Sequence, residues 1–366
     1  MSGAETSGPP TGAAIAACPS APHEAAPFEA QPFVPRRWLR NGHLQTIAGN
    51  FLPRADHLPA PTPELVEVSP ASDTQIATHV LCLCHWQPGE VRAQRPTAII
   101  VHGLEGSAES QYVVGNANKL WRAGGNVIRM NMRNCGGRNY EMARLTPTLY
   151  HSGLSGDVGA VLRFFLEREQ LESIALIGYS MGGNLVLKLA GELGADAPRQ
   201  LHSVVGVSPA IDLDLSATAL HRPQNRLYER KFLRNLLKRF RRKVRFFPRA
   251  YDPNRATGIG SLREFDDRIT ALYSGFASAG DYYFRVAAAR VVDRIAVPTL
   301  IVHALDDPFV MLAPETLGKI AANPHITLLE TEHGGHCAFL AKPGGAGGDD
   351  GRWAETTLLR FVLDHA

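Results

Sequence analysis

Residues 173–187 read S-I-A-L-I-G-Y-S-M-G-G-N-L-V-L, and the interpretation of the whole chain starts from them. The apolar run at 174–177 is typical of a buried strand, and the apolar spacing over 184–193 predicts a helix. Between them, Gly178-Tyr179-Ser180-Met181-Gly182 has the form G-x-S-x-G. Between a strand and a helix, this motif exposes its serine on a strained turn at the strand's carboxyl end. A chance match among 34 glycines would not explain the flanking strand and helix. We therefore predict that Ser180 is a nucleophile.

The composition limits the remaining possibilities. A chain of 366 residues, 45% of them hydrophobic, is long enough to bury a large core. Its five cysteines are an odd number without a C-x-x-C pair, which favours free thiols in a reducing compartment. No histidine spacing such as H-E-x-x-H is present, so we expect no metal and no cofactor. A net charge of +3 argues neither for nor against nucleic acid.

Residues 1–35 are rich in Ala, Pro, Gly and Ser and are predicted to be a disordered tail. The sequence Ile15-Ala16-Ala17-Cys18 resembles a lipoprotein cleavage box. The preceding residues, however, lack the basic region and the long apolar core of a signal peptide. We therefore expect Cys18 to be unlipidated and the protein to be cytoplasmic.

From residue 36 onward, predicted strands and helices alternate along the chain. Strands are predicted at 97–101, 127–132, 174–177, 203–208, 299–303 and 326–330, with helices between most of them. Such alternation indicates an α/β domain, here 36–366, with a mostly parallel sheet and helices on both faces. Ligands of such sheets bind at the carboxyl ends of the strands.

A serine nucleophile requires a base, and the base requires an orienting acid. Asp306 and Asp307 follow the strand at 299–303, and His333 and His336 follow the strand at 326–330. This chain order, serine then acid then histidine, accompanies the G-x-S-x-G motif. Gly334 and Gly335 permit a tight turn before His336, which favours it over His333 as the base.

Two backbone N–H groups are needed to stabilise the oxyanion of an acyl-transfer intermediate. One belongs to the residue after the nucleophile, Met181. The other is expected in the loop after the first parallel strand, where the sequence is His102-Gly103-Leu104-Glu105-Gly106. We assign it to Leu104.

Seven motifs together resemble the YheT-like group of α/β-hydrolases, the bacterial relatives of the abhydrolase-domain lipases and esterases. They are N-G-H-L-Q-T at 41–46, H-G-L-E-G at 102–106, Y-H-S-G at 150–153, G-Y-S-M-G-G-N at 178–184, R-E-F-D-D at 263–267, A-L-D-D-P-F at 304–309 and H-G-G-H at 333–336. The tail and a glycine-rich insert at 344–348 depart from the pattern.

The resemblance implies an α/β-hydrolase fold with Asp307 as the triad acid, leaving Asp306 as the alternative acid or as a residue that holds the loop. It also implies hydrolysis of carboxylic esters with medium-chain or lipid-like acyl groups. An acyltransferase using the same triad, or a non-catalytic protein that binds lipid or a partner, are the alternatives.

Residues 211–290 separate two sheet strands and are predicted to form a helical cap. Within them, 222–249 contain twelve Lys or Arg against one acid, Glu229, interleaved with apolar residues. One interpretation is an amphipathic helix with a solvated basic face, and the other is contact with an anionic membrane. No nucleic-acid recognition fold is visible, so we expect no nucleic acid. Glu264, Asp266 and Asp267 are interpreted as paired surface charges.

Overall fold

The computed structural model describes residues 28–54, 57–72, 76–89, 92–344 and 350–366. Within these residues one sheet of eight strands forms the centre of the molecule. In chain order the strands are β1 (Thr62–Ser69), β2 (Thr78–His85), β3 (Thr97–Val101), β4 (Asn126–Met130), β5 (Ile174–Tyr179), β6 (Leu201–Val207), β7 (Thr299–Ala304) and β8 (Ile326–Thr331). Their order in the sheet is β1-β2-β4-β3-β5-β6-β7-β8, and only the β1–β2 and β2–β4 pairs are antiparallel among the described strands.

The helices connect these strands and cover the sheet. The described α-helices are α1 (Gly42–Phe51), α2 (Gln111–Arg122), α3 (Glu141–Leu145), α4 (Ser155–Glu169), α5 (Met181–Leu193), α6 (Leu213–Leu220), α7 (Arg226–Phe246), α8 (Leu262–Phe265), α9 (Leu272–Ser274), α10 (Ala279–Val286), α11 (Pro314–Ala322) and α12 (Trp353–Asp364). A π-helical turn, Asp266–Ala271, joins α8 to α9. In this described part of the chain, no helix is both long and apolar enough to cross a membrane.

Consecutive residues of β3 point to opposite faces of the sheet, as the period of a strand requires. Ile99 belongs to a core formed with α4 and α5, for example with Phe165 and Leu185. Ile100 belongs to a second core formed with α2 and α12, for example with Leu358. The predicted α/β architecture, a mostly parallel sheet with helices on both faces, is therefore confirmed.

Residues 28–35 differ from the prediction of a disordered tail that extends to residue 35. The ring of Phe28 packs edge-on against Phe361 of α12, with centroids 5.1 Å apart. Trp353 Nε1 donates a hydrogen bond to the Gln31 carbonyl oxygen at 2.7 Å. The Ala- and Pro-rich composition hid these aromatic anchors, whose partners lie at the other end of the chain. The rest of the predicted tail, including Cys18, lies outside the described residues.

Between β6 and β7 the chain forms α6 to α10, in the region predicted as a cap. Its longest helix is α7, which buries Leu233, Leu236 and Phe240 against the rest of the cap. Most of its cations face outward, as the amphipathic pattern predicts: Arg226, Arg230, Lys231, Arg234, Lys238, Arg241 and Arg245 are exposed.

A buried ion pair fixes the loop after β4 to α4. Arg133 Nε and Nη2 donate to the two oxygens of Asp157, each at 2.6 Å. The two side chains are only 9% and 6% exposed. Burial raises the pKa of Asp157, and the hydrogen bonds from Arg133 oppose that rise. The carboxylate therefore depends on the arginine to remain charged inside the protein.

We predict that Arg133→Met lowers the free energy of unfolding by about 3–5 kcal/mol, because it leaves the Asp157 carboxylate buried and unpaired. Urea denaturation followed by tryptophan fluorescence measures the change. Arg168→Met is the matched control, since Arg168 makes a two-pronged pair with Glu64 but is 50% exposed. Exposed pairs contribute at most about 1 kcal/mol, so equal losses in the two variants would contradict the prediction.

Candidate active site

Ser180 lies on the turn between β5 and α5 with φ 54° and ψ −116°. A positive φ in a residue other than glycine costs about 1–3 kcal/mol and persists only when the surroundings enforce it. Here the flanking glycines let neighbouring backbone pack closely enough to hold Ser180 in this conformation. A Cβ at Gly178 would lie 2.2 Å from the Gly182 carbonyl oxygen, and one at Gly182 would lie 2.4 Å from that of Val101.

The two predicted partners, Asp307 and His336, are in contact. His336 Nδ1 lies 2.8 Å from Asp307 Oδ2. Asp307 Oδ1 accepts hydrogen bonds from the backbone N–H groups of Phe309 and Val310, at 3.1 and 2.9 Å. Because Nδ1–H donates to the carboxylate, the neutral imidazole leaves its Nε2 lone pair free to accept a proton.

The electrostatics of this pair favour a protonated imidazole. Burial alone lowers the pKa of His336, but the charge of Asp307 and its hydrogen bond, together with the neighbouring Cys337, outweigh burial. The net effect raises the pKa of His336 above its ordinary value. Asp307 therefore stabilises the positive charge that the imidazole acquires when it takes a proton.

Asp306 and His333 occupy different places. Asp306 Oδ1 accepts a hydrogen bond from the Gly335 N–H at 2.8 Å and so shapes the turn that carries His336. His333 Nδ1 lies 3.5 Å from Asp306 Oδ2. Of the two histidines, His336 lines the cavity described below and His333 does not, while neither Asp306 nor Asp307 lines it. The Asp307 carboxylate thus contacts the His336 ring, and the Asp306 carboxylate contacts the backbone of the turn before it.

Helix α1 supports the histidine loop from the opposite end of the chain. Thr46 Oγ1 accepts a hydrogen bond from the His336 N–H at 2.8 Å. Gln45 Oε1 accepts one from the Leu340 N–H at 2.9 Å. Sequence reasoning assigned neither residue a role, although both lie in the N-G-H-L-Q-T motif at 41–46. That motif was the available signal.

The loop after β3 and the start of α5 present the two N–H groups predicted for the oxyanion. Among the described residues, neither the Leu104 N–H nor the Met181 N–H has a hydrogen-bond acceptor. Both residues line the same cavity as Ser180. Gly103, next to Leu104, is so close to the nucleophile that a Cβ there would lie 3.1 Å from Ser180 Cβ.

His102 holds this loop as a neutral imidazole. Its Nε2 accepts from the Met132 N–H at 3.1 Å, and its Nδ1 lies 2.8 Å from the Gly103 carbonyl oxygen. Complete burial lowers the pKa of His102 to about 4, although the bond to Gly103 opposes this shift. The ring therefore keeps one donor and one acceptor over the physiological pH range, which both bonds require.

The cap helix α7 is joined to the same loop. Arg239 Nε lies 2.7 Å from Glu105 Oε1, and Tyr150 OH donates to that oxygen at 2.8 Å. Glu105 directly follows Leu104 and has a positive φ of 61°. The cap therefore restrains the backbone that carries one of the two free N–H groups.

One cavity of about 730 Å³ brings the predicted site residues together. Ser180, His336, Leu104 and Met181 all line it. A second part of the wall comes from the cap and neighbouring loops and is apolar: Leu213, Leu220, Leu227, Phe232, Leu236 and Val310. Such a cavity, mostly apolar with a few convergent polar groups, has the form of a small-molecule site.

The sequence predicts paired surface charges at Glu264, Asp266 and Asp267; Glu264 and Asp267 are exposed, but among the described residues none of the three forms an ion pair. Asp266 lines the cavity and accepts hydrogen bonds from Thr270 and Tyr283. Asp267 Oδ1 accepts from the Ala279 N–H at the start of α10, and Glu264 Oε2 from the Gly260 N–H. Folding brings in these partners, which the sequence pattern does not reveal. Nowhere in the described residues do three or more His, Cys, Asp or Glu form a group able to hold a metal ion.

Comparison with known proteins identifies several relatives. Residues 96–343 match the family model described as the alpha/beta hydrolase fold. YheT of Escherichia coli (strain K12), named as a candidate esterase, is 33% identical over 84% of this chain and 87% of its own length. Phospholipase ABHD3 of Mus musculus is 28% identical over 67% of this chain and 59% of its own. Monoacylglycerol lipase of Saccharomyces cerevisiae is 26% identical over 73% and 59%.

Among solved structures, 2,6-dihydroxy-pseudo-oxynicotine hydrolase superposes with a TM-score of 0.53. The two chains are 17% identical, and the superposition covers 88% of this chain and 71% of the other. At 17% identity, this superposition shows that the two proteins share a fold.

We predict that the pKa of His336 lies above its ordinary 6.5 and that Asp307→Asn lowers it, because the neutral amide removes the charge and leaves the burial. Raising the pKa keeps the imidazole protonated to higher pH, so the neutral form appears only above the raised value. An NMR titration of histidine-labelled protein measures this. Asp306→Asn is the matched control and should leave the His336 titration unchanged. A larger shift in that control would reverse the assignment of the two acids.

Proposed function

The chain belongs to the α/β-hydrolase family, and from that membership we propose that it is a serine hydrolase that cleaves carboxylic esters. The observation that carries the proposal is one cavity lined by a strained Ser180 and by His336, whose Nδ1 lies 2.8 Å from Asp307 Oδ2. The names of the relatives, which include an esterase, a phospholipase and a monoacylglycerol lipase, support the same class of reaction.

In the proposed mechanism, Ser180 Oγ attacks the ester carbonyl carbon while His336 Nε2 takes the hydroxyl proton. Asp307 keeps the imidazole in the required tautomer and stabilises its positive form. The N–H groups of Leu104 and Met181 donate to the carbonyl oxygen as it becomes negative. His336 then gives the proton to the leaving alcohol, which departs and leaves an acyl-enzyme. Water activated by the same imidazole releases the carboxylic acid.

The apolar part of the cavity wall formed by the cap supports the proposal that the substrate carries a medium-chain or lipid-like acyl group. Each CH₂ group that leaves water gains about 0.8 kcal/mol, so affinity should rise with chain length until the wall is covered. Phe232 and Leu236 contribute rings and methyl groups to this wall, and Leu227 lies at its exposed edge. Hydrolysis of p-nitrophenyl esters from acetate to dodecanoate tests the proposal, with kcat/KM expected to peak at medium length.

We predict that Ser180→Ala abolishes ester hydrolysis and leaves the melting temperature of the protein within a few degrees. Loss of a triad nucleophile typically lowers kcat by about 10⁴–10⁶-fold. A fluorophosphonate probe should label the wild-type protein and not the variant. Substantial turnover by a folded Ser180→Ala protein would rule out Ser180. A wild-type protein that is neither labelled nor active would favour the non-catalytic alternative.

We further propose that the outer face of α7 brings the enzyme to anionic membrane surfaces. Its exposed cations share α7 with Leu227, which lines the cavity and is 79% exposed, and Phe51 of α1, which also lines the cavity, is 78% exposed. Each Lys or Arg near an anionic surface adds about 1 kcal/mol of binding free energy. A substrate leaving the membrane would then meet the cavity directly.

We predict that the protein co-sediments with anionic vesicles at low salt and not with neutral vesicles. Changing Arg230, Arg234 and Lys238 together to Gln should weaken this binding about 100-fold, because each lost charge removes about 1 kcal/mol of binding free energy. The control changes Arg95, Arg122 and Arg199 to Gln. These exposed cations come just before β3, β4 and β6. They therefore lie at the amino ends of the parallel strands, whereas Ser180 lies at the carboxyl ends. Equal losses in both triple variants, or binding that ignores lipid charge, would refute the proposal.

A further inference from the structure

A second polar cluster faces the active-site cavity and has no part in the proposed acyl-transfer steps. The Asp266 cluster consists of Asp266, Thr270 and Tyr283, all of which line the cavity. Thr270 Oγ1 donates to Asp266 Oδ1, and Tyr283 OH donates to Asp266 Oδ2, both at 2.7 Å. Asp266 begins the π-helical turn Asp266–Ala271, and such turns are frequent at functional sites.

The Asp266 cluster presents acceptors and no donors. Both hydroxyl hydrogens already point at the carboxylate, and a carboxylate has about four lone-pair positions, of which two are used. Burial, together with the charge of Asp266, raises the pKa of Tyr283, so its hydroxyl remains a donor to the carboxylate. The cluster can therefore accept hydrogen bonds from a ligand but cannot donate any.

The carboxylate makes no direct ion pair with a described residue. In the described part of the chain, no Lys, Arg or His nitrogen lies within 4 Å of Asp266, and the neighbouring Arg263 pairs with Asp214 instead. Burial raises the pKa of Asp266 to about 6, and the hydrogen bonds from Tyr283 and Thr270, together with the more distant charge of Arg263, oppose that rise. Both oxygens of Asp266 accept hydrogen bonds from hydroxyl groups, which favours the ionised carboxylate. A partly buried carboxylate without a direct ion pair gains stability from each further hydrogen-bond donor that reaches it.

Buried hydrogen bonds fix the Asp266 cluster relative to the nucleophile. Asn184, in the first turn of α5, donates through Nδ2 to the Ser152 carbonyl oxygen at 2.9 Å. The Ser152 N–H donates to Tyr282 OH at 2.9 Å. Tyr282 adjoins Tyr283 on α10. A ligand group bound at the cluster would therefore keep a set position with respect to an ester carbonyl at Ser180.

We propose that the Asp266 cluster binds the alcohol portion of the substrate by accepting hydrogen bonds from free hydroxyl groups, which makes esters of polyols the preferred class. The inference rests on the proposed function, which assigns the cavity to an ester. The acyl chain then lies along the apolar cap wall, and the hydroxyl-bearing alcohol lies along the cluster. A phosphate in place of the hydroxyls meets acceptors alone and is disfavoured.

Binding of non-hydrolysable probes tests this without relying on catalysis. The probes are 1-O-hexylglycerol and its 2,3-di-O-methyl derivative, which keeps the oxygens and lacks the donors. By calorimetry, Asp266→Asn should weaken binding of the diol about tenfold, as expected for a bond to a charged acceptor, and leave the dimethyl probe unchanged. Equal affinity of the wild-type protein for the two probes, or an equal loss for both in the variant, overturns the inference.

Asp267→Asn is the matched control. Asp267 adjoins Asp266, does not line the cavity, and accepts from the Ala279 N–H through an oxygen that asparagine retains. The Asp267→Asn variant should bind both probes as tightly as the wild type does. A loss of diol affinity equal to that in Asp266→Asn would overturn the inference. Should Asp266→Asn fail to fold, the wild-type comparison of the two probes decides. Tighter binding of hexyltrimethylammonium than of the diol would also overturn it, in favour of a cationic ligand.

A kinetic comparison separates this inference from the proposed function. The ratio of kcat/KM for 1-monohexanoylglycerol to that for ethyl hexanoate should fall about tenfold in Asp266→Asn and stay constant in Asp267→Asn. Both substrates use the same triad, so changes in the triad cancel in the ratio. A wild-type protein that cleaves neither ester refutes the proposed function, while the binding data still decide the inference. Cleavage of both esters with an unchanged ratio overturns the inference alone.

Discussion

The backbone of Ser180 can keep its positive φ because three chain segments meet where no side chain fits. The Gly182 carbonyl lies against Gly178, and Gly182 itself lies against the carbonyl of Val101, at distances that would put a Cβ within 2.4 Å of an oxygen. The end of β3, the end of β5 and the start of α5 therefore converge on one point. Leu104 and Met181, the proposed oxyanion donors, lie within three residues of this point along the chain and line the same cavity as Ser180.

Other parts of the structure hold this arrangement from outside. His102 fastens the loop after β3 to β4, since its ring bonds to the N–H of Met132 at 3.1 Å. Arg239 fastens the same loop to the cap through Glu105. Because Glu105 adjoins Leu104, a displacement of α7 would be transmitted to a proposed oxyanion donor through a single residue. The cap thus bears on the chemistry as well as on the entrance to the cavity.

What could be predicted from the sequence depends on the range of the interactions involved. The strands of the sheet, the turn at Ser180, and the loops that carry Asp307 and His336 follow from local apolar patterns and from the order of elements. The support of His336 by Thr46 spans 290 positions of the chain, and the docking of Gln31 on Trp353 spans 322. Local patterns carry no information about such partners. For Asp266 the partners are nearer, Thr270 at 4 and Tyr283 at 17 positions, but the pattern of alternating charges does not show that its carboxylate faces a cavity.

The basic run of α7 shows why charge content alone does not define a surface. Its outward cations are free to meet an anionic partner, but Arg239 points inward and pairs with Glu105. Lys243 is buried, donates to the carbonyl oxygens of Ala143 and Thr146, and so joins α7 to α3. Burial lowers the pKa of Lys243 to about 7, so this cation contributes little to the field outside the protein. The same helix therefore separates a cationic exterior from a cavity whose Asp266 cluster offers only acceptors, and a neutral, hydroxyl-bearing ester is compatible with both.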